Sequence, residues 1–372
     1  MKNTLFAILP LAAIISCFSC KAPTSHAQID KTTIEASQRK VADWMLEHRR
    51  ETSGGRHADN QWTIGAWYAG VFSLYEQTKD PRYLEPLMAM EKTVGWKVGP
   101  NRFFGDDQAI SQVYLDIYRV VKQDPAIIAD TRAVIDEQIA MPDPGLGAHT
   151  AALFGQGAWS WCDGLFMAPP AWARLSLVTG DKKYIDAMDA KYWKSYDFLY
   201  DKEEKLFYRD SSYFGKKENN GKKIFWSRGN GWVLAGLARL LEVMPKDYPT
   251  RGRYEALFVE MAGRIRDLQQ PDGLWRPSLL DPASYPTGET SGTAFFAYAF
   301  AWGVNNKLLN RADFAPAITR AWKVLKDCIQ PDGRLGWAQP IGQDPKLVKA
   351  EDTEVYAVGA FLLAGREILA MK

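Results

Sequence analysis

From residue 31 to the C-terminus, helix-length apolar patterns alternate with short turns twelve times over. The candidate helices cover about 31–50, 61–79, 81–95, 106–123, 125–140, 163–179, 181–200, 229–244, 250–270, 290–306, 311–329 and 352–370. No run of alternating β-branched residues is long enough to compete, so the spacing predicts an all-α fold. The apolar stripes are wide. In Trp232–Val243 nearly every turn is apolar on most sides, which suits a helix packed on two faces. Thr78-Lys79-Asp80-Pro81-Arg82-Tyr83-Leu84 resembles Thr179-Gly180-Asp181-Lys182-Lys183-Tyr184-Ile185: a helix ends, an Asp caps the next, and a Tyr opens its buried face. Gln270-Pro271-Asp272-Gly273 recurs as Gln330-Pro331-Asp332-Gly333, each time a turn with a Trp soon after it. Helical hairpins of about fifty to sixty residues, six in all, fill the chain. Their simplest closed arrangement is a double ring, an (α/α)6 barrel; an open helical solenoid is the competing arrangement. Pro and Gly are spread among short turns, so residues 28–372 are expected to form one domain.

The N-terminus reads as a signal, not as part of that domain. Lys2 is a positive n-region and Leu5–Phe18 an apolar h-region too short to span a bilayer with margin. Ile14-Ile15-Ser16-Cys17 has the form of a bacterial lipoprotein signal, cleaved before Cys17 and leaving that residue lipidated. Ser25-His26-Ala27 has the form of a secretory site, cleaved after Ala27. Either ending falls within 1–27, the signal region, and predicts an exported protein, in a bacterial periplasm or as an outer-membrane lipoprotein. A lipid on Cys17 is the one membrane attachment expected.

Composition removes several function classes. Lys and Arg number 46 against 44 Asp and Glu, a balance too even for a nucleic-acid footprint. Cys162 and Cys328, the two Cys outside the leader, sit in apolar surroundings and read as buried free thiols. Four His, with no Cys/His spacing of a metal site, predict no metal. No Gly-rich phosphate loop and no Gly-x-Ser-x-Gly elbow is present. The 14 Trp, 16 Tyr and 17 Phe read first as a large core, with sugar-stacking surfaces as the alternative, since indole faces also stack on sugar rings.

Three stretches carry candidate chemistry. Trp159–Pro170 is apolar and aromatic with one carboxylate, Asp163. Asp163 is placed to N-cap the helix beginning near Gly164, and its neighbours would also raise its pKa and suit it to general-acid work. Asn101–Gln108 holds the adjacent acids Asp106 and Asp107, of which one can cap while the other faces a pocket. Asp107 is taken as the second carboxyl, with Asp106 as the alternative. Phe225–Trp232 sets Arg228 between Trp226 and Trp232 beside two glycines, and reads as an anion clamp in an aromatic wall. His149, Trp62 and Ser291 are further contact candidates; Trp62 also reads as core and Ser291 as part of a helix cap.

Taken together, Trp161-Cys162-Asp163-Gly164-Leu165-Phe166-Met167-Ala168-Pro169-Pro170, Trp226-Ser227-Arg228-Gly229-Asn230-Gly231-Trp232 and Glu289-Thr290-Ser291-Gly292-Thr293-Ala294 resemble, in order, the unsaturated uronyl hydrolases. These are glycoside hydrolase families 88 and 105, including the unsaturated rhamnogalacturonyl and glucuronyl hydrolases. The resemblance implies an (α/α)6 catalytic barrel acting on oligosaccharides left by polysaccharide lyases, pectin- or rhamnogalacturonan-derived above all, that end in a 4,5-unsaturated uronic acid. It implies protonation of C4, addition of water at C5, opening of the hemiketal and release of the next sugar. It also implies that Asp163 is the acid/base, that Asp107 or Asp106 orients water or sugar, that Trp161, Trp226, Arg228 and Trp232 touch substrate, and that no cofactor is needed. Arg209 stands where many members carry a His, and the His-Lys pair common before the Trp-x-Asp segment is missing, with His149 a loose substitute; the resemblance makes both positions substrate contacts, apart from the acid. Two other functions stay open on the residues alone. One is a conventional glycosidase on the same barrel; the other is a non-catalytic carbohydrate-binding lipoprotein.

Overall fold

The computed structural model describes residues 31–147 and 156–371. The leader, Cys17, Ala27 and His149 lie outside the described residues. The helices are α1 (Lys31–His48), α2 (Trp62–Thr78), α3 (Glu85–Met88), α4 (Met90–Thr93), α5 (Ala109–Val120), α6 (Ala126–Ala140), α7 (Gly164–Met167), α8 (Pro169–Thr179), α9 (Lys183–Leu199), α10 (Ser227–Val243), α11 (Arg251–Asp267), α12 (Thr290–Asn305), α13 (Arg311–Asp327) and α14 (Val355–Ala370). A two-residue hairpin, β1 (Tyr200–Asp201) with β2 (Leu206–Phe207), pairs antiparallel in the register Tyr200↔Phe207.

Six of the longer helices form an inner ring. Helix α2 packs on α5, α5 on α8, α8 on α10, α10 on α12, α12 on α14, and α14 closes back onto α2. The others lie outside, with α6 against α5, α9 against α8, α11 against α10 and α13 against α12. This is the (α/α)6 double ring expected from the sequence. The burial explains the division. In α10 every residue except Glu242 is buried, and α12 is buried from Thr290 to Gly303. A helix apolar on all sides can only be satisfied between neighbours on both faces. Outer helices such as α9 and α11 bury one stripe.

Two expected helices are broken. The stretch 81–95 opens as a 3-10 turn (Pro81–Tyr83) and continues as the short α3 and α4, because Pro86 has no N–H to give a longer helix and sits instead in the first turn of α3. The stretch 163–179 divides into α7 and α8 for the same reason, with Pro169 and Pro170 restarting the helix. Among the described residues, no helix is long and apolar enough to cross a membrane.

Candidate active site

All six inner helices begin at the same end of the barrel, and nearly every residue singled out in the sequence lies at those beginnings. Trp62 opens α2, Asp106 and Asp107 form the 3-10 turn before α5, Asp163 precedes α7, and Arg228 lies in the first turn of α10. Ser291 lies in the first turn of α12, and Glu354 directly precedes α14. Trp62 stacks on Tyr356 of α14 at 5.7 Å and meets Trp232 edge-on at 6.3 Å, so opposite parts of the ring touch across the floor. Helix N-termini present unpaired N–H groups and a partial positive charge. A mouth ringed by them favours an anion.

Asp163 is buried in that floor, but it does not cap. Its backbone is already helical (φ −59°, ψ −36°) and its side chain accepts no capping bond. A capping residue needs an extended backbone, so the carboxyl turns elsewhere. Its Oδ2 takes the Cys162 thiol at 3.6 Å and lies 3.5 Å from Arg209 Nε. Burial raises the Asp163 pKa, against the pull of Arg209 and Arg228. Burial also pushes the Cys162 thiol far up, so it serves here as a neutral donor and not as a nucleophile.

The two neighbouring acids separate cleanly. Asp106 accepts from Trp161 Nε1 at 2.8 Å, and its pKa is driven well up by burial and then by the charge of Asp163. Asp107 turns away. Its Oδ2 accepts from the Asn101 backbone amide at 3.0 Å and from Asn101 Nδ2 at 3.1 Å, tying down the preceding loop. Burial raises its pKa as well. The acid electrostatically joined to Asp163 is therefore Asp106, the alternative in the sequence reading. Trp161 stacks on Phe104 at 5.1 Å, an aromatic shelf beside both acids.

Arg228 is placed differently from the free clamp expected. Its guanidinium lies between Trp226 (4.5 Å) and Tyr356 (4.9 Å). Nη1 donates to the Gln339 carbonyl at 2.5 Å, and Nη2 to those of Pro340 (3.1 Å) and Gly342 (3.4 Å). Trp226 Nε1 donates to Gln339 Oε1 and the Tyr356 hydroxyl to the Gln339 carbonyl. Arg228 thus organises the 339–342 loop and sends its charge, not a free fork, toward Asp163. Trp232 is enclosed by Phe166, Phe295, Trp62 and Tyr356 and forms the floor. Ser291 is a capping element. Its hydroxyl and amide donate to Glu289, which also accepts from the Gly292 amide and N-caps α12.

Sequence reasoning missed Tyr356, Gln339, Glu354 and Asp210. Only Tyr356 carried a signal, as an aromatic at the start of a helix apolar all round. Glu354 accepts from Ser53 and from the Gly54 amide, and burial raises its pKa. Among the described residues, no three His, Cys, Asp or Glu side chains converge as metal ligands.

Two buried carboxyls with raised pKa values, set in indole walls at an anion-favouring mouth, suit proton transfer to and from a sugar, and the class they define is that of the glycoside hydrolases. The chain belongs to Glycosyl Hydrolase Family 88, which it matches over residues 37–372. It is 40% identical, over the whole length of both chains, to an unsaturated 3S-rhamnoglycuronyl hydrolase of Formosa agariphila. It is 31% identical to a protein of the same name from an Alteromonas species, over 97% of this chain and 96% of that one. A solved family 88 glycosyl hydrolase from Bacteroides vulgatus superposes with a TM-score of 0.80 at 31% identity, covering 91% of this chain and 99% of that one.

Proposed function

We propose that this enzyme removes a 4,5-unsaturated uronic acid from the non-reducing end of lyase-generated oligosaccharides, with Asp163 as the acid and then the base. The observation that carries this reading is the Asp163 carboxyl, buried at the floor with its pKa raised and a second carboxyl, Asp106, beside it. The unsaturated ring is a vinyl ether. Asp163 gives its proton to C4, the electron pair of C4=C5 forms that C–H bond, and the cation at C5 is shared with the ring oxygen. Asp163, now a carboxylate, takes a proton from the water that adds at C5. The hemiketal opens to a ketone at C5, and the hemiacetal exposed at C1 releases the next sugar. Asp106 orients water or sugar in place of Asp107, and Trp161 and Trp226 form the apolar walls above the Trp232 floor.

The names of the two full-length relatives support an unsaturated uronate joined to rhamnose. Lyase elimination removes the C4 stereocentre, so galacturonate and glucuronate yield the same unsaturated ring. The pectin-type substrate expected from sequence therefore presents the same reacting sugar. What separates the sources is the saccharide that follows.

Incubation with unsaturated uronyl-rhamnose and with saturated nitrophenyl glycosides tests this. Turnover of the first alone is the expected result; turnover of the second alone points to a conventional glycosidase. Export belongs to the same reading, supported by Lys2, Leu5–Phe18 and Cys17. Metabolic labelling with a fatty-acid analogue should mark the wild type and leave Cys17→Ser unlabelled; an unlabelled wild type would favour cleavage after Ala27.

A further inference from the structure

Arg209 is carried to the acid by the backbone. Its carbonyl accepts the Cys162 amide at 2.8 Å, and Trp161 pairs with Asp210 in an antiparallel bridge. The two chain segments therefore run side by side, with Arg209 next to Asp163. The far end of the guanidinium is anchored, Nη1 donating to Asp210 Oδ2 at 2.6 Å. Its near end is not. Nε is buried, lies 3.5 Å from Asp163 Oδ2, and completes no hydrogen bond among the described residues. Both side-chain contacts of the Asp163 carboxyl among the described residues, from Cys162 and from Arg209, fall on Oδ2.

We propose that Arg209 is a positioning residue for the acid: it fixes Oδ2 of Asp163 as the charge-bearing oxygen and leaves Oδ1 to carry the proton to the sugar. This rests on the reading of Asp163 as the acid. A cation beside one carboxyl oxygen disfavours a proton on that oxygen, so the proton goes to the other. As it moves to C4, negative charge grows on a carboxylate that already faces a fixed guanidinium. The unfilled Nε–H then gains the acceptor it lacks at rest. An interaction made more strongly as charge develops than before raises kcat more than it lowers KM. The other groups facing Asp163 are Asp106 from the turn before α5, Arg228 from α10, Tyr213 from the 211–213 turn and Cys162 beside it, with Asp210 acting through Arg209. Arg228 remains when Arg209 is removed, so the site keeps one cation.

The test compares wild type, Arg209→Gln and Arg209→Lys on an unsaturated uronyl-rhamnose disaccharide, with kcat and KM followed across pH. Arg209→Gln should lower kcat by about 10²–10³-fold, the size of losing one preorganised donor, with KM nearly unchanged. The alkaline fall of kcat should move to higher pH, because Asp163 without its cation stays protonated longer. Arg209→Lys should recover part of kcat and keep the alkaline fall near its wild-type position. Carbon-13 NMR of aspartate-labelled protein, with the Asp163 resonance assigned by its absence in Asp163→Asn, should show the same upward move without any turnover. It therefore reads Arg209 even where the substrate assignment fails. A loss confined to KM, or an Asp163 titration unmoved in Arg209→Gln, would overturn the proposal. Should Arg209→Gln not fold, Arg209→Met fills the same space and is read in the same way.

Discussion

A buried carboxyl is costly to ionise, and Asp106 and Asp163 share that cost at close quarters. Burial holds both folded pKa values above the ordinary carboxyl value, and the charge of Asp163 adds to the rise of Asp106. The sign of the linkage follows. A carboxyl raised on folding contributes stability below its unfolded pKa, and that stability is lost as pH rises through the folded value. The two titrate as a pair. Asp106→Asn keeps an oxygen for Trp161 Nε1 and never ionises. It should match wild type in melting temperature near pH 4 and exceed it increasingly as pH rises, at about 1.4 kcal/mol per pH unit until the folded value is passed, while activity falls. Equal melting temperatures at pH 4 and pH 8 would show that Asp106 carries no raised pKa. At this scale the sequence was partly legible. The apolar neighbours of Asp163 announced a buried acid, but its cap role failed because the backbone turns helical one residue early. Asp106 and Asp107 were indistinguishable because consecutive residues of a tight turn point in different directions, and nothing local says which faces the barrel. Arg228 was recognised as special, yet its carbonyl partners lie more than a hundred residues away, where no local pattern reaches them.

Helices and turns were far more legible, since their signals are local. In both copies of the Thr-x-Asp repeat the threonine hydroxyl bonds back to the helix, Thr78 to Leu74 at 2.8 Å and Thr179 to Leu175 at 2.6 Å. In both the Asp accepts two residues on, from the Arg82 and Lys183 amides. Tyr83 and Tyr184 are then completely buried, as the repeat predicted. Gly273 and Gly333 close matching turns at φ +93° and +108°, where a side chain would be strained. What stayed hidden was how closely the elements pack. A Cβ on Gly70 would stand 2.3 Å from the Gly359 carbonyl oxygen, and one on Gly359 would stand 2.4 Å from that of Ala66. The close seam between α2 and α14 is backbone against backbone. Gly359→Ala must push these helices apart and should cost about 1–3 kcal/mol or more, seen as a lower melting temperature. An unchanged melting point would mean that the seam yields freely.

The whole ring separates stability from chemistry along its axis. The acids stand at the N-terminal ends of the inner helices, whereas a buried ionic cluster joins α5, α8 and α10 near their other ends. Arg174 holds Asp116 at 3.0 Å and Glu242 at 2.9 Å, and Arg239 reaches Gln112 at 2.6 Å and Asp116 at 3.4 Å. Asp116→Asn would leave the buried Arg239 without an anion and Arg174 with Glu242 alone, a loss of about 3–5 kcal/mol. Denaturant unfolding should show it, with kcat per folded molecule unchanged; a kcat that falls in parallel would mean that the two ends are coupled. Ring closure itself was half legible: an even number of helices with wide apolar stripes pointed to a closed double ring but left an open solenoid competing, because which end helices meet is not a local property. The central claim, that Asp163 protonates the vinyl ether, is tested most directly by one time course. Ultraviolet absorbance of the C4=C5 bond and release of the following sugar are recorded together, for wild type and Asp163→Asn. The account predicts equal molar loss of absorbance and release of sugar with wild type, and neither with the variant. Sugar released by wild type with the double bond intact, or absorbance lost at the wild-type rate with Asp163→Asn, would contradict it.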